Sequence, residues 1–423
     1  MLYFIKMMIY MAILTSSFDV FLTWQIGGTI RFCQVIMIIP YVYLTLDCIR
    51  KKRIILPESI YYLLIWNVFM LVFVLNTDVL IRSVGYWIWL TLNIANIILL
   101  VNIFTTKKDV FSLLRWYCFS FVFVAAFGLL QFVSAPILKL STPLVAQWWI
   151  PGVLARINGF SYEPSYYATY ILIGWCFIYF LLKKRNQELF GVNAIRLMFA
   201  ITTLAMILSS SRMGILMMLI VVVSSNIYCN AKKIIVNLLK MKIETRIVKN
   251  VTLFLALFIS LSYMLLSNDY FDEYSFLLGG TGIGGTPAHS VDTRTLYMEK
   301  TLNVFYESPV IGASLGGVAE KIAIDENQRG ELKDSEGTAV ALEVLAASGI
   351  IGVIPFILYF YRIIKKSVLK FYVTNDGIGL GILWALVAEI VILQLNQNIL
   401  RPYFWIHIAV LSVYFRIKSI KEE

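Results

Sequence analysis

Four arginines carry the strongest chemical signal in this chain: Arg156, Arg212, Arg294 and Arg401. Each stands at a helix start, a turn or the end of an apolar run. A guanidinium stays charged, grips phosphate oxygens two at a time, and works best where free backbone N–H groups open a helix. Arg212 is the sharpest case, because Ser209-Ser210-Ser211 precede it and Met213-Gly214 follow it between two long apolar runs. Hydroxyls, helix-terminal N–H groups and a guanidinium could therefore converge on one anion. The plainer reading is an arginine that snorkels and fixes a hairpin at the membrane surface. Hydrocarbon penalises a charge by roughly several kcal/mol, so Arg212 faces a surface or a polar cavity in either case.

Acidic residues supply the complement. Glu163 lies in Arg156-Ile157-Asn158-Gly159-Phe160-Ser161-Tyr162-Glu163-Pro164-Ser165, just ahead of a span. Pro164 suits a first helical turn and Glu163 the positive end of the helix dipole. This is either a well-capped helix entry or, with Arg156, one cation and one base at a cavity mouth. Asp334, Glu336 and Glu343 flank the entry to a later span, while Asp19 and Glu389 lie within or near other spans. A carboxylate at membrane depth is a functional candidate by default, although Gln394, Asn396 or Asn398 could satisfy some of these. Arg294 follows Asp292 and Thr293, which could cap an amphipathic helix reaching about Glu307 before Ser308-Pro309. The plain readings are a solvated surface for Arg294 and an interfacial anchor for Arg401.

These residues need spans to hold them. The chain of 423 residues is 60% hydrophobic and only 14% charged, with a mean hydropathy of +0.79. That excludes a soluble domain and predicts an all-α polytopic membrane protein. About twelve spans are expected: 5–24, 29–49, 58–76, 83–104, 110–134, 165–182, 195–209, 212–230, 250–267, 337–361, 377–396 and 402–416. The first has no evident small-residue cleavage site and reads as a retained span. Most basic residues fall in Arg50–Arg53, Lys183–Arg185, Lys232–Lys249, Arg362–Lys370 and Arg416–Lys421. Alternation then puts both termini inside and the four arginines outside, with a hairpin tip at 209–212. The net charge of +11 thus reflects membrane orientation and not nucleic-acid binding. The whole chain reads as one transmembrane domain with two long outside loops, 135–164 and 268–336. The second is acidic and contains Gly279-Gly280-Thr281-Gly282-Ile283-Gly284-Gly285. That run lacks the strand–loop–helix context and the Lys of a nucleotide-binding loop, so it reads as a flexible stretch. Five scattered cysteines and two histidines, His289 and His407, show no disulfide framework or metal spacing.

Taken together, the order of local patterns resembles the O-antigen polymerases and ligases, a superfamily acting on lipid-linked oligosaccharides. The resemblance rests on Gly159-Phe160-Ser161-Tyr162-Glu163-Pro164-Ser165, on Ser211-Arg212-Met213-Gly214, and on Arg294 followed by Ser308-Pro309-Val310-Ile311-Gly312. Leu342-Glu343-Val344-Leu345-Ala346-Ala347-Ser348-Gly349-Ile350-Ile351-Gly352 completes it. It implies a GT-C-like glycosyltransferase with a large periplasmic loop between the ninth and tenth helices. Its donor would be an undecaprenyl-diphosphate glycan, used at the outer face of the bacterial inner membrane without metal or other cofactor. It further implies that Arg212 and Arg294 engage the diphosphate, with Arg156 beside them. Glu163 is the first candidate base and Glu336 the second. Arg401, Glu336, His289 and Tyr162 are the remaining candidates for substrate binding, and a chain-length regulator is a candidate partner. Ligases of the superfamily carry a His-Asn pair just before the span that starts near 338, where this chain has Thr338-Ala339. That favours a polymerase over a ligase. The rival from another class is a lipid-linked oligosaccharide flippase or transporter. Such proteins carry broken spans in paired positions, and no such pairing is visible.

Overall fold

The computed structural model describes residues 1–25, 29–138, 145, 147–150, 154–239, 289–325, 339–395 and 399–420. In chain order these form α1 (Leu2–Leu14), β1 (Thr23–Gln25), β2 (Thr29–Arg31), α2 (Phe32–Ile36), α3 (Ile38–Lys51) and α4 (Ile60–Phe73). Next come α5 (Leu80–Ile103), α6 (Lys107–Leu138), β3 (Gln147–Ile150), β4 (Leu154–Arg156), α7 (Pro164–Lys183), α8 (Val192–Leu208) and α9 (Arg212–Leu239). The series ends with α10 (His289–Glu307), α11 (Leu315–Asp325), α12 (Val340–Val373), α13 (Gly377–Ile392) and α14 (Pro402–Ile420). Five stretches among the described residues are long and apolar enough to cross a membrane: α2–α3 together, α5, α6, α7 and α12. Shorter apolar helices accompany them. Every expected span except 250–267 carries one of these helices; that one, like the glycine run 279–285, lies outside the described residues.

The chain divides into two compact units, Met1–Met217 with Leu296–Glu423, and Met218–Thr295. Within the second, the described parts are helical. The first is organised around α7, which is apolar on all sides and therefore buried along nearly its whole length. It packs chiefly on α13 and on α8, while α14 packs on α5 and α12 on α4. Glycines allow close helix approach: a Cβ on Gly174 would lie 2.3 Å from the Phe121 side chain, and one on Gly381 2.9 Å from that of Phe177.

Three features depart from the sequence expectations. First, the chain is mostly but not wholly helical, because two antiparallel hairpins occur, β1–β2 and β3–β4. Second, the helix expected over 5–24 stops at Leu14. Thr15 and Ser16 turn their hydroxyls back onto Met11 O (2.9 Å) and Ile13 O (2.8 Å), and the chain then runs into β1. Third, α12 is interrupted at Gly349, whose φ of 59° and ψ of −170° are not helical.

Ends that the charge pattern puts on one side do meet. Asp19 N donates to Phe160 O at 2.9 Å, and Val340 N at the start of α12 donates to Leu393 O at the end of α13. At the other end Lys184 donates to Asn375 Oδ1 at 2.7 Å, and Lys366 pairs with Glu58.

Candidate active site

The start of α7 is built from its neighbours. In the β3–β4 hairpin Gln147 stands opposite Arg156, and Arg156 Nη1 donates to Gln147 Oε1 at 2.7 Å. Beyond β4, Gln131 of α6 grips the turn: its Oε1 accepts from Asn158 N at 3.2 Å and Gly159 N at 3.0 Å. Asn158 Nδ2 in turn donates to Ser161 O at 2.6 Å. Gly159 has φ +54, and a Cβ there would sit 2.7 Å from the Tyr167 ring, so both backbone and space demand glycine. Phe160 stacks between Phe18 and Phe127 with centroids at 4.0 and 4.1 Å. The outcome is Glu163 at the N-cap of α7, exposed, its carboxylate accepting from Ser165 Oγ at 2.9 Å. Tyr162 is half-buried immediately before it.

The turn bearing Arg212 is capped by its serines. Helix α8 ends at Leu208 and α9 begins with Arg212. Ser211 Oγ accepts from Gly214 N at 3.3 Å, and Ser209 Oγ accepts from Ser211 N at 3.3 Å. A Cβ on Gly214 would lie 2.7 Å from Met206 Sδ and 3.1 Å from Ala168 Cβ. Glycine thus seats this turn against α7 one helical turn beyond Glu163, and Arg212 projects exposed from it.

Arg156 lies within electrostatic reach of both Arg212 and Glu163. Burial holds the Arg156 guanidinium below the ordinary arginine pKa, the nearby Arg212 pushes it the same way, and Glu163 opposes both. Two like charges held close are a standing cost that a bound anion relieves. This arrangement suits a phosphate or diphosphate with an exposed carboxylate beside it.

Arg401 has a different setting. Its Nη1 donates to Asp19 Oδ1 at 2.7 Å, and the same oxygen accepts from Arg31 Nε and Nη2, both at 3.0 Å. Arg401 is buried, and its guanidinium lies 4.5 Å from the centre of the Tyr166 ring. The cluster joins the end of α1, β2 and the start of α14 behind the first turn of α7. Glu343, also buried, accepts from Ile399 N at 3.1 Å and so fixes the segment leading to Arg401. Glu389 pairs with His407: Nδ1 lies 2.6 Å from Glu389 Oε2 and Nε2 lies 3.0 Å from Ile382 O. A carbonyl only accepts, so Nε2 carries a proton, and one further proton is shared between Nδ1 and Glu389.

The remaining candidates are reached by the backbone alone or not at all. His289 and Arg294 belong to α10, with side chains outside the described residues, as is Glu336. Among the described residues no group of His, Cys, Asp and Glu is arranged to hold a metal. Sequence reasoning left out Gln131 and Arg31. An amide in an apolar helix and a basic residue among outside aromatics were the available signals.

No curated protein matches the chain. The family model described as O-antigen ligase matches residues 197–357. This stretch holds the Ser211–Gly214 turn, Arg294, Ser308–Gly312 and the Gly349 break, and it leaves out Arg156, Glu163 and Arg401. Over that stretch, which is less than half of the chain, the protein is similar to the O-antigen ligase family, and its apolar helices are those of a membrane protein.

Proposed function

We propose that this protein is an O-antigen polymerase, with about twelve spans and both termini cytoplasmic. In this reading it joins undecaprenyl-diphosphate-linked repeat units at the periplasmic face of the bacterial inner membrane. The observation that carries the reading is the grouping of Arg156, Arg212 and Glu163 at the start of α7. A hydroxyl of the acceptor repeat attacks the donor's anomeric carbon. The bond from that carbon to the diphosphate oxygen breaks, and its electron pair stays on the diphosphate. Arg212, Arg156 and, from α10, Arg294 stabilise that growing charge. Glu163 takes the hydroxyl proton, with Glu336 as the alternative base. Tyr162 and His289 contact sugar, and Arg401 supports the site from behind through Tyr166. Thr338-Ala339, where ligases have His-Asn, supports polymerase over ligase.

The test is genetic and direct. Cells lacking the protein should make lipopolysaccharide bearing at most one repeat unit, with ligation intact. Core without any repeat unit would identify a ligase. Lipid-linked repeats trapped at the cytoplasmic face would identify a flippase.

A further inference from the structure

The turn that joins Arg156 to Glu163 is buried, which is unusual for a loop. Ile157, Asn158, Phe160 and Ser161 are each at most 6% exposed, whereas Arg156 is half-buried and Glu163 exposed. A buried turn must find partners for its backbone N–H and carbonyl groups. Beyond α1, Asp19 N and Val20 N donate to Phe160 O at 2.9 and 3.1 Å. Within the turn, Ser161 N donates to Asn158 O at 2.9 Å, and Asn158 Nδ2 donates to Ser161 O at 2.6 Å. The adjacent amides of Asn158 and Gly159 meet one atom, Gln131 Oε1 of α6, at 3.2 and 3.0 Å.

Gln131 is 5% exposed and stands between Leu129-Leu130 and Phe132-Val133. A buried amide in such surroundings is costly unless its hydrogen bonds are made, and the turn is where Gln131 makes them. Nearby on α6, Gly128 leaves room for Tyr167 of α7, since a Cβ there would sit 2.3 Å from the Tyr167 hydroxyl. The Tyr167 ring closes on Gly159 as well. Helix α6, the turn and the first turns of α7 are thus held as one piece. Arg156 and Glu163 are seven positions apart, and seven residues of free chain reach up to about 24 Å. Nearness in sequence therefore does not set their spacing; the anchored turn does.

We propose that Gln131 is a positioning residue for the transfer reaction, holding this turn so that Glu163 keeps a fixed distance from Arg156. This rests on the reading that Glu163 takes the acceptor's proton beside a diphosphate held by Arg156. A base must stand within hydrogen-bond reach of the hydroxyl while the leaving group sits on the arginines. A misplacement of about 1 Å can slow such a reaction about 100-fold.

The experiment measures repeat-unit transfer by purified protein in lipid, with undecaprenyl-diphosphate-linked repeat units as donor and acceptor. Gln131→Met keeps the length of the side chain and removes its oxygen. It is expected to lower kcat about 100-fold with the donor KM changed only a few-fold. Gln131→Asn keeps the amide but shortens its reach, and serves where Gln131→Met does not fold; its kcat is expected to fall about tenfold. Wild-type kcat in a folded Gln131 variant overturns the proposal. A purely structural role would slow every background equally, so the folded variant is combined with Glu163→Gln. Once the base is gone its spacing no longer matters, and the double variant is expected within about threefold of Glu163→Gln alone. A double variant slowed by the full product of the two losses overturns the proposal. Glu163→Gln by itself separates the two ideas. Wild-type turnover there sinks the role of Glu163 and the purpose of Gln131 with it. A slow Glu163→Gln beside a fast Gln131→Met sinks the role of Gln131 alone.

Discussion

Two pairs of arginines stand at the same end of the bundle in opposite electrostatic conditions. Arg31 and Arg401 share one oxygen of Asp19, and Arg401 is buried against Tyr166. Arg156 feels the charge of Arg212 beside the start of α7, with the exposed Glu163 as the nearby counter-charge. The first pair is closed by the protein itself and ties three elements together. The second keeps like charges within reach of each other, Arg156 half-buried and Arg212 exposed, an arrangement that favours an incoming anion. Three of the four stand at helix starts and Arg156 ends a strand, so residue type and local context do not separate anchor from ligand site. The neighbouring carboxylate and the degree of burial do.

The largest effect should come from breaking the closed pair. Asp19→Ala strands the buried Arg401 guanidinium and the half-buried one of Arg31, and removing one partner of a buried ion pair costs about 3–5 kcal/mol. Detergent-solubilised protein should unfold at clearly lower temperature; an unchanged melting temperature would remove the structural role of this cluster. Next is Arg212→Ala, expected to slow repeat-unit transfer by about 100-fold or more while leaving folded protein at its normal level. If transfer stays at the wild-type rate, Arg212 is only an anchor and the contrast collapses.

Arg156 sharpens the comparison through sign. A cation whose folded pKa lies below its unfolded value destabilises the fold wherever it is charged, and the cost disappears only as pH rises past the lowered value. At neutral pH that cost is fully present. Arg156→Gln should therefore leave thermal stability unchanged or raised while slowing transfer about tenfold, since a hydrogen bond to a charged group is lost. Added diphosphate should raise the melting temperature of the wild type more than that of the variant. A destabilised Arg156→Gln would place Arg156 with the closed pair.

The smallest effect is expected at Glu389. In Glu389→Gln a neutral His407 can still donate from Nε2 to Ile382 O and accept at Nδ1 from the new amide. Stability should change by less than about 1 kcal/mol, and transfer should stay near wild type. A large loss of transfer in a stable variant would show that the shared proton takes part in function.

Much of the scaffold is legible from composition. Apolar runs of about 20 residues report spans because the hydrocarbon layer asks only for length and apolarity. The serines before Arg212 likewise announce a helix start by local chemistry, and the structure begins α9 at that residue. The first span is misread because Thr15 and Ser16 cap α1 early, while their hydropathy barely interrupts the run. The Gly349 break is invisible for a related reason. The Leu342–Gly352 pattern shows a glycine in an apolar helix, but only the returning Pro309–Ser314 segment makes a broken helix tolerable there.

The sequence by itself determined that this is a membrane protein, where most of its helices run, and that the arginines beside its apolar runs are the residues to ask about. Those properties are sums over neighbouring residues, and hydrophobicity and charge bias add along the chain. Only the tertiary structure decided which arginines share the buried Asp19 carboxylate and which feel one another's charge. Asp19 and Arg401 lie 382 positions apart, and no local pattern encodes that they pair. The same holds for Gly214 against Ala168 and for Gly312 against Ala347. Contact between distant backbones is set by packing, and packing brings Arg156 within reach of the charges of Arg212 and Glu163.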